Sequence, residues 1–495
     1  MSITDKNITE LSKGLAEKKF SSHEITEAYL QRINEIDPII NAYITVIEEQ
    51  ALLAAAEADA RLARGQARSR LDGIPLALKD NICTKGVLTT CASKMLHNFV
   101  PPYSAGCWVK LQESGAVLLA KANMDEFAMG HTTETSAYGA TRNPFDIAYT
   151  PCGSSGGPAA AVAADLVAFT LGSDTGGSIR QAAHSCGAVG MKPTYGRVSR
   201  LGIVPVASSM DQAGVLAKSV RDAALVLETI SGPDDYDANS SQIEVGAYLA
   251  ACDKGVQGLR IGLPREFLGR NIVPQTIKNI ERAAAILLEA GAQVEEVSLP
   301  HAQYAMPAYL VLSSAEASSN MARFDGVNYG LRVEKDNVYD MITATRTQGF
   351  GDEAKLRILL GTYTTSAGQI DAYYNRALRI RTLVKSDYDT VFAAGYDCLL
   401  TPVTAGAAFK LGEHVNDPMD MYMRDTCTAP INLAGLPAMA VPFALQDGLP
   451  WGLQLVGRPF GEETLFAVAQ ALEQPRLIPP DIGEQARRKG VACHD

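Results

Sequence analysis

From residue 72 onward the chain alternates short apolar runs with Gly-rich turns and stretches of helical spacing. This alternation leaves few architectures open to it. Apolar runs fall at 74–78, 116–120 and 166–171. Residues 259–263 read as a further strand. Ile277, Ile280, Ala284, Leu287 and Leu288 then recur at helical spacing up to Gly291, and 294–299 read as the next strand. Runs at 398–401, 438–441 and 453–456 extend the same sheet or build a second one. Strands separated by helices define an α/β protein.

The first 65 residues read differently, as a helical layer. Ser21 and Glu24 have the spacing of a capping box, and Ile25, Tyr29, Ile33 and Ile36 follow on one helical face. Residues 41–64 are alanine-rich with repeated charges, and Gly65 suits the end of a helix. The expected organisation is an N-terminal helical layer over 1–65, part of the same domain as 66–480. A helical insertion is expected near 300–390 and a C-terminal tail over 481–495. If the chain divides anywhere, it does so near 234–255, where Asp, Asn and Ser cluster.

Composition removes several classes of function. Apolar residues make up 47% and charged residues 20%, the balance of a soluble protein with a large core. No run approaches the ~18 consecutive apolar residues that cross a membrane. The alanine-rich stretch 159–171 is broken by Asp165. The N-terminus, with early acidic residues and no apolar core, reads as neither a signal nor a transit peptide, so a cytoplasmic protein is expected. The 9 cysteines are odd in number, irregularly spaced and without CxxC, which points to reduced thiols. The 7 histidines lack HxxxH and HxH spacing, so no zinc site is expected. A net charge of −11 argues against a polyanion-binding surface spread over the chain. The 42 glycines cluster, and the clusters need an explanation.

Three segments carry chemistry. Lys79 ends the apolar run 74–78. It is either an ordinary surface lysine at a strand end or one drawn inside, where desolvation lowers its pKa and makes it a base. Residues 151–158, PCGSSGGP, enter an alanine-rich helical run. Such a loop is either a flexible turn or a collection of backbone N–H groups at a positive helix end. Pro158 suits the first helical position. A phosphate loop fits poorly, since GxxxxGK[ST] is absent. Residues 166–180 form an apolar strand that delivers a Gly-rich bend ending at Ser178. Clustered N–H groups there would stabilise an oxyanion, with Ser178 as nucleophile. His184, six residues on, is the competing base of a Ser-His-Asp triad. No G-x-S-x-G elbow accompanies it, and a packing role suits it better. Cys152 could be mistaken for a nucleophile, but its place at the start of the loop favours packing.

The motifs IPLALKDN (74–81), GSSGG (153–157) and GSDTGGSIRQ (172–181), taken together, resemble those of the amidase signature family. The resemblance runs from about residue 5 to 475. NMDEFAMG (123–130), TRNPFD (141–146), KPTYGRVSRLGIVPVASSMDQ (192–212), SSAEASSNMARFDG (313–326) and LGTYTTSAGQIDAYYNRA (360–377) are similar to the branch that supplies ammonia to tRNA-dependent amidotransferases. NLAGLPAMAVP (432–442) is shared more widely in the family.

The resemblance implies a large mixed, twisted β-sheet sandwiched between α-helical layers. It implies that Ser178 attacks the carboxamide of glutamine, that Ser154, at a cis peptide bond, relays the proton, and that Lys79 completes a Ser–cis-Ser–Lys triad. The N–H groups of Thr175, Gly176, Gly177 and Ser178 would form the oxyanion hole. Arg357 and Asp425 would hold the substrate's α-carboxylate and α-amino groups, and Tyr309 would add a contact. By residue type alone Arg357 and Asp425 would be surface charges. No cofactor is implied in this chain. ATP and Mg²⁺ are implied at a partner, the B subunit, which binds tRNA, activates its glutamate and converts it to glutamine. A small C subunit would brace the two. No membrane is involved. The other readings are a free-standing amidase on another carboxamide and a non-catalytic scaffold. Three residues depart from the family pattern. Cys152 stands where Gly is usual, at ~1–2 kcal/mol if φ is positive, Pro158 replaces Ser, and Ala182 replaces Pro. On this reading the −11 charge expresses a division of labour, with the tRNA held elsewhere.

Overall fold

The computed structural model describes residues 2–269, 272–413 and 422–490. Its strands are β1 (Tyr43–Val46), β2 (Pro75–Lys79), β3 (Val117–Ala122), β4 (Phe169–Asp174), β5 (Val189–Lys192), β6 (Gln212–Ala217), β7 (Arg260–Pro264), β8 (Gln293–Val297), β9 (Cys398–Pro402), β10 (Ala438–Gln446) and β11 (Leu449–Gly457). All belong to one 11-stranded sheet, ordered β1-β3-β2-β4-β6-β5-β10-β11-β9-β7-β8. The sheet is mixed. β3-β2-β4 and β9-β7-β8 run parallel, while β1, β6, β5, β10 and β11 pair antiparallel. The late apolar runs therefore extend the first sheet and do not build a second. Strands β2 to β6, β9 and β11 are buried at every position. Side chains of a strand alternate between faces, so the centre of the sheet is covered on both.

The N-terminal layer has α1 (Ile8–Ala16), α2 (Ser22–Ile40) and α3 (Glu48–Ala63). The Ser21–Glu24 capping box forms, and Asn7 with Glu10 makes a second. The reading of 41–64 as one helix is corrected. Asn41 turns left-handed with φ 53° and ends α2. The chain then adds β1 to the sheet edge, antiparallel to β3. The Asp37 carboxylate accepts from the Ala42 N–H at 2.7 Å, fixing the exit. The Tyr-Ile-Thr-Val composition of β1 favours a pleated strand over helix.

Helices α4 (Gly106–Glu113), α5 (Gly156–Ala163), α6 (Ser178–Cys186), α7 (Val220–Ile230), α8 (Tyr248–Ala251) and α9 (Pro274–Glu289) follow. Strands on both sides of residues 234–255 share the sheet. Between β8 and β9 lie α10 (Ala305–Asn320), α11 (Val338–Gly349), α12 (Asp352–Thr365) and α13 (Tyr374–Ala393). Leu312, Val384 and Tyr388 there share a second core with Ile431 and Leu436. The chain ends with α14 (Ala429–Ala434), α15 (Glu462–Leu472) and α16 (Ile482–Lys489). The segment read as a tail from residue 481 thus opens with a helix, whose Ile482 and Ala486 are buried. Residues 491–495 of that segment lie outside the described residues. Among the described residues no helix is long and apolar enough to cross a membrane.

Candidate active site

β2 and β4 are parallel neighbours in register, Leu76 opposite Phe169 and Leu78 opposite Leu171. Both therefore end at the same edge of the sheet. β2 ends on Lys79 and β4 on Asp174. After Asp174 the chain bends through Thr175, Gly176 and Gly177, and Ser178 opens α6. Only glycine fits this bend. Gly177 has φ 145°, and a Cβ there would lie 2.3 Å from the Thr428 hydroxyl. A Cβ on Gly176 would lie 2.4 Å from Tyr309 Oη. The bend sets the backbone of 175–178 at the N-terminus of α6, where amides face outward unbonded by the helix.

The second Gly/Ser loop brings Ser154 to the same place. The Gly153–Ser154 peptide bond is cis. Ser154 Oγ lies 2.9 Å from Ser178 Oγ and 2.7 Å from Lys79 Nζ. Lys79 Nζ is also 3.1 Å from Ser178 Oγ. Lys79 is fully buried, so the surface-lysine reading falls away. Burial pushes its pKa down to about 7, against the opposing pull of Asp125, Asp174 and Asp211. A neutral amine has two N–H donors and one lone pair. The donors have acceptors in Ser155 Oγ at 3.0 Å and Ser173 O at 3.3 Å, which leaves the lone pair for the Ser154 hydroxyl.

Sequence reasoning does not single out Ser155, yet the structure draws it into the cluster. Its hydroxyl lies 2.7 Å from Ser178 Oγ and reaches Ser173 O at 3.0 Å. The available signal is the adjacent serine in GSSGG, but sequence cannot say which of two neighbours faces inward.

A buried ion pair and a buried hydrogen bond brace the bend. Arg180 grips Asp174 with Nε and Nη2 at 3.1 and 2.9 Å, and also donates to Gln454 and Asn432. Burial alone would raise the Asp174 pKa, but the charge and hydrogen bond of Arg180, with Lys192 and Asn432, together outweigh it and hold the carboxyl below its usual range. The Thr175 hydroxyl donates to Asp211 at 2.6 Å, and Asp211 accepts from the Val206 and Ala207 N–H groups. Replacing Asp174 by Ala leaves a buried guanidinium without its carboxylate. We expect a loss of about 3–5 kcal/mol in denaturant unfolding, with an unchanged slope. A shift below about 1 kcal/mol would mean that Gln454 and Asn432 suffice.

Arg357 and Asp425 are buried, not surface charges. Arg357, on α12, donates from Nε to Glu353 at 2.7 Å and stacks 4.4 Å from the Tyr422 ring centre. Asp425 accepts from Gln181 Nε2 at 2.5 Å, and Gln181 sits one turn along α6 from Ser178. Tyr309, on α10, faces Gly176. Tyr309, Arg357 and His131 line one small, partly open pocket of about 20 Å³.

The remaining residues fall outside this network. His184 accepts from the Gly452 N–H at 2.9 Å through Nδ1, and its Nε2 lies 3.2 Å from Gly406 O. Burial pushes its pKa down to about 4, and its partners, Gly452 in β11 and Gly406, lie outside the two serine loops, which fits the packing role. Cys152 has φ 60°, the conformation that favours Gly, and its sulfur accepts from Ser185 at 3.0 Å. Burial raises its pKa, so it stays a thiol. Pro158 occupies the third position of α5 and not the first. Any residue of the first turn can lack its N–H without losing a helical bond. Ala182 is buried within α6.

A serine at a strand-to-helix bend, a second serine and a buried amine in one hydrogen-bonded cluster are the parts of an acyl-transfer enzyme. The chain belongs to the amidase family, whose match spans residues 24–466. It is 54% identical over 465 residues to the A subunit of the glutamyl-tRNA(Gln) amidotransferase of Moorella thermoacetica, covering 94% of this chain and 95% of that one. The corresponding protein of Heliobacterium modesticaldum is 48% identical over 98% of this chain and 100% of its own length. Among solved structures, the amidotransferase A subunit from Thermotoga maritima superposes with a TM-score of 0.80 at 38% identity, covering 97% of this chain and 99% of that one. The peptide amidase of Stenotrophomonas maltophilia superposes with 0.82 at 35% identity over 96% and 98%.

Proposed function

We propose that this chain is the glutamine-hydrolysing A subunit of a cytoplasmic glutamyl-tRNA(Gln) amidotransferase. The observation that carries this reading is the contact of Lys79, Ser154 and Ser178, with Asp425 buried against Gln181 of the same helix as Ser178 and Arg357 buried in the pocket wall with Tyr309. Neutral Lys79 takes the proton of Ser154 as Ser154 takes that of Ser178. Ser178 Oγ then bonds to the carboxamide carbon of glutamine. The N–H groups of 175–178 hold the oxyanion. The relay returns a proton to the departing nitrogen, ammonia leaves, and water releases glutamate from Ser178. Arg357 supplies a planar fork for the α-carboxylate, and Asp425 an anion for the α-ammonium.

The chain works with its own side chains, while ATP and Mg²⁺ act at the B subunit. That partner holds the tRNA and receives the ammonia, and the small C subunit braces the pair. The net charge of −11 supports placing the tRNA on the partner. The test is ammonia release by the chain alone and with both partners. Glutamine-dependent release that rises with the partners is expected. Rapid partner-free hydrolysis of unrelated amides would replace this reading with a free amidase, and no turnover under any condition would leave a scaffold.

A further inference from the structure

His131 lies in the pocket wall with Tyr309 and Arg357, and it is 5% exposed. Its Nδ1 lies 3.2 Å from Asp425 Oδ1. Its Nε2 is buried and has no hydrogen-bond partner. A buried ring nitrogen of this kind is costly unless something completes it. Resting on the glutaminase reading, we propose that His131 is a substrate-contacting residue. Its Nε2–H and the Arg357 guanidinium together clamp the substrate's carboxylate, while its Nδ1–H steadies Asp425. The ligand class is an α-amino acid amide with a free carboxylate.

The proton inventory fixes the sign of a pH effect. Nδ1–H faces Asp425, so Nε2 donates only in the imidazolium form. The groups facing the ring are Asp425, Arg357, Asp125 and Glu353, with the phenols of Tyr309 and Tyr422 nearby. Burial pushes the His131 pKa down, but the charge and hydrogen bond of Asp425, with the charge of Asp125, together outweigh it, and the net shift is upward. Imidazolium therefore persists above the ordinary value of about 6.5. Deprotonation turns Nε2 from donor to acceptor, facing a carboxylate, so affinity falls as pH rises.

The experiment is steady-state glutaminase kinetics of the assembled enzyme with His131→Ala and His131→Gln across pH. KM for glutamine should rise on the order of tenfold or more in His131→Ala, with kcat much less affected. Wild-type KM should climb as pH rises past the ordinary imidazole range. The variants should lose that climb, and His131→Gln, which keeps a neutral N–H donor, should lie between. Wild-type KM and pH profile in His131→Gln would overturn the proposal, even if His131→Ala fails to fold. A wild-type enzyme that releases no ammonia from glutamine overturns the glutaminase reading itself.

Discussion

Replacing Ser178 by Ala should lower glutamine-dependent ammonia release by about 10⁴-fold or more, yet leave tRNA amidation from ammonium salts near the wild-type rate. The first half follows from the nucleophile. Ser178 is the one hydroxyl of the cluster that opens α6 beside the Gly-rich bend, so no other oxygen has both a proton path and amides at hand. Ser154 and Ser155 stay bonded to Lys79 when the Ser178 hydroxyl is removed, so the loop keeps its shape. The second half follows from the division of labour. On the proposed reading free ammonia would bypass this chain and reach the partner directly. Loss of both activities, with the complex still assembled, would sink that division. Retention of glutaminase activity would move the nucleophile to Ser154 or Ser155.

The parts of the fold legible in sequence are those with one dominant signal. β2, β3 and β9 are apolar runs buried on both faces, and α2 and α9 carry one apolar stripe each. β5 and β6 escape a local reading because Gly190 and Gly214 interrupt short segments, VGMK and QAGVLA, that resemble turns. Their place is set by pairing. A Cβ on Gly214 would lie 2.2 Å from Met191 O, so the glycine marks a close approach of strands that a local reading takes for a break. β1 is hidden by the alanine-rich helix that follows it.

The site divides the same way. Lys79, Ser154 and Ser178 are legible because each sits in a motif. Arg357 and Asp425 come through family resemblance only, since nothing local tells a buried charge from an exposed one. What buries them is distant in sequence: Tyr422 under Arg357, and Gln181 against Asp425. His131 lacks even a motif, and its significance rests on an unpartnered nitrogen that only three-dimensional structure reveals.

Lys79→Met should cut kcat for glutamine hydrolysis by about 10³-fold and abolish its pH dependence. Met keeps nearly the volume of Lys and carries no charge, so the site stays filled while the lone pair is gone. In the proposed relay the base of the wild type is the neutral amine. Its pKa of about 7 means that the amine is mostly protonated at pH 6 and mostly neutral at pH 8. At saturating glutamine, kcat should therefore rise with pH through about 7 and level off above it. Saturation removes the His131 effect, which falls on KM. A wild-type kcat equal at pH 6 and pH 8 would rule out Lys79 as the base that starts the relay. The same shift has a cost in folding. Unfolded lysine keeps its proton to about pH 10.4, whereas native Lys79 has released it from about pH 7 upward. Between those values the unfolded chain binds more protons, so stability rises with pH across that window and is lowest at its acidic end. Lys79→Met deletes this contribution. The difference between the two proteins' denaturant midpoints should shift in favour of wild type as pH rises from about 7 toward 10. A difference that stays constant would mean that Lys79 holds its proton in the folded enzyme, and the general-base role would fail with it.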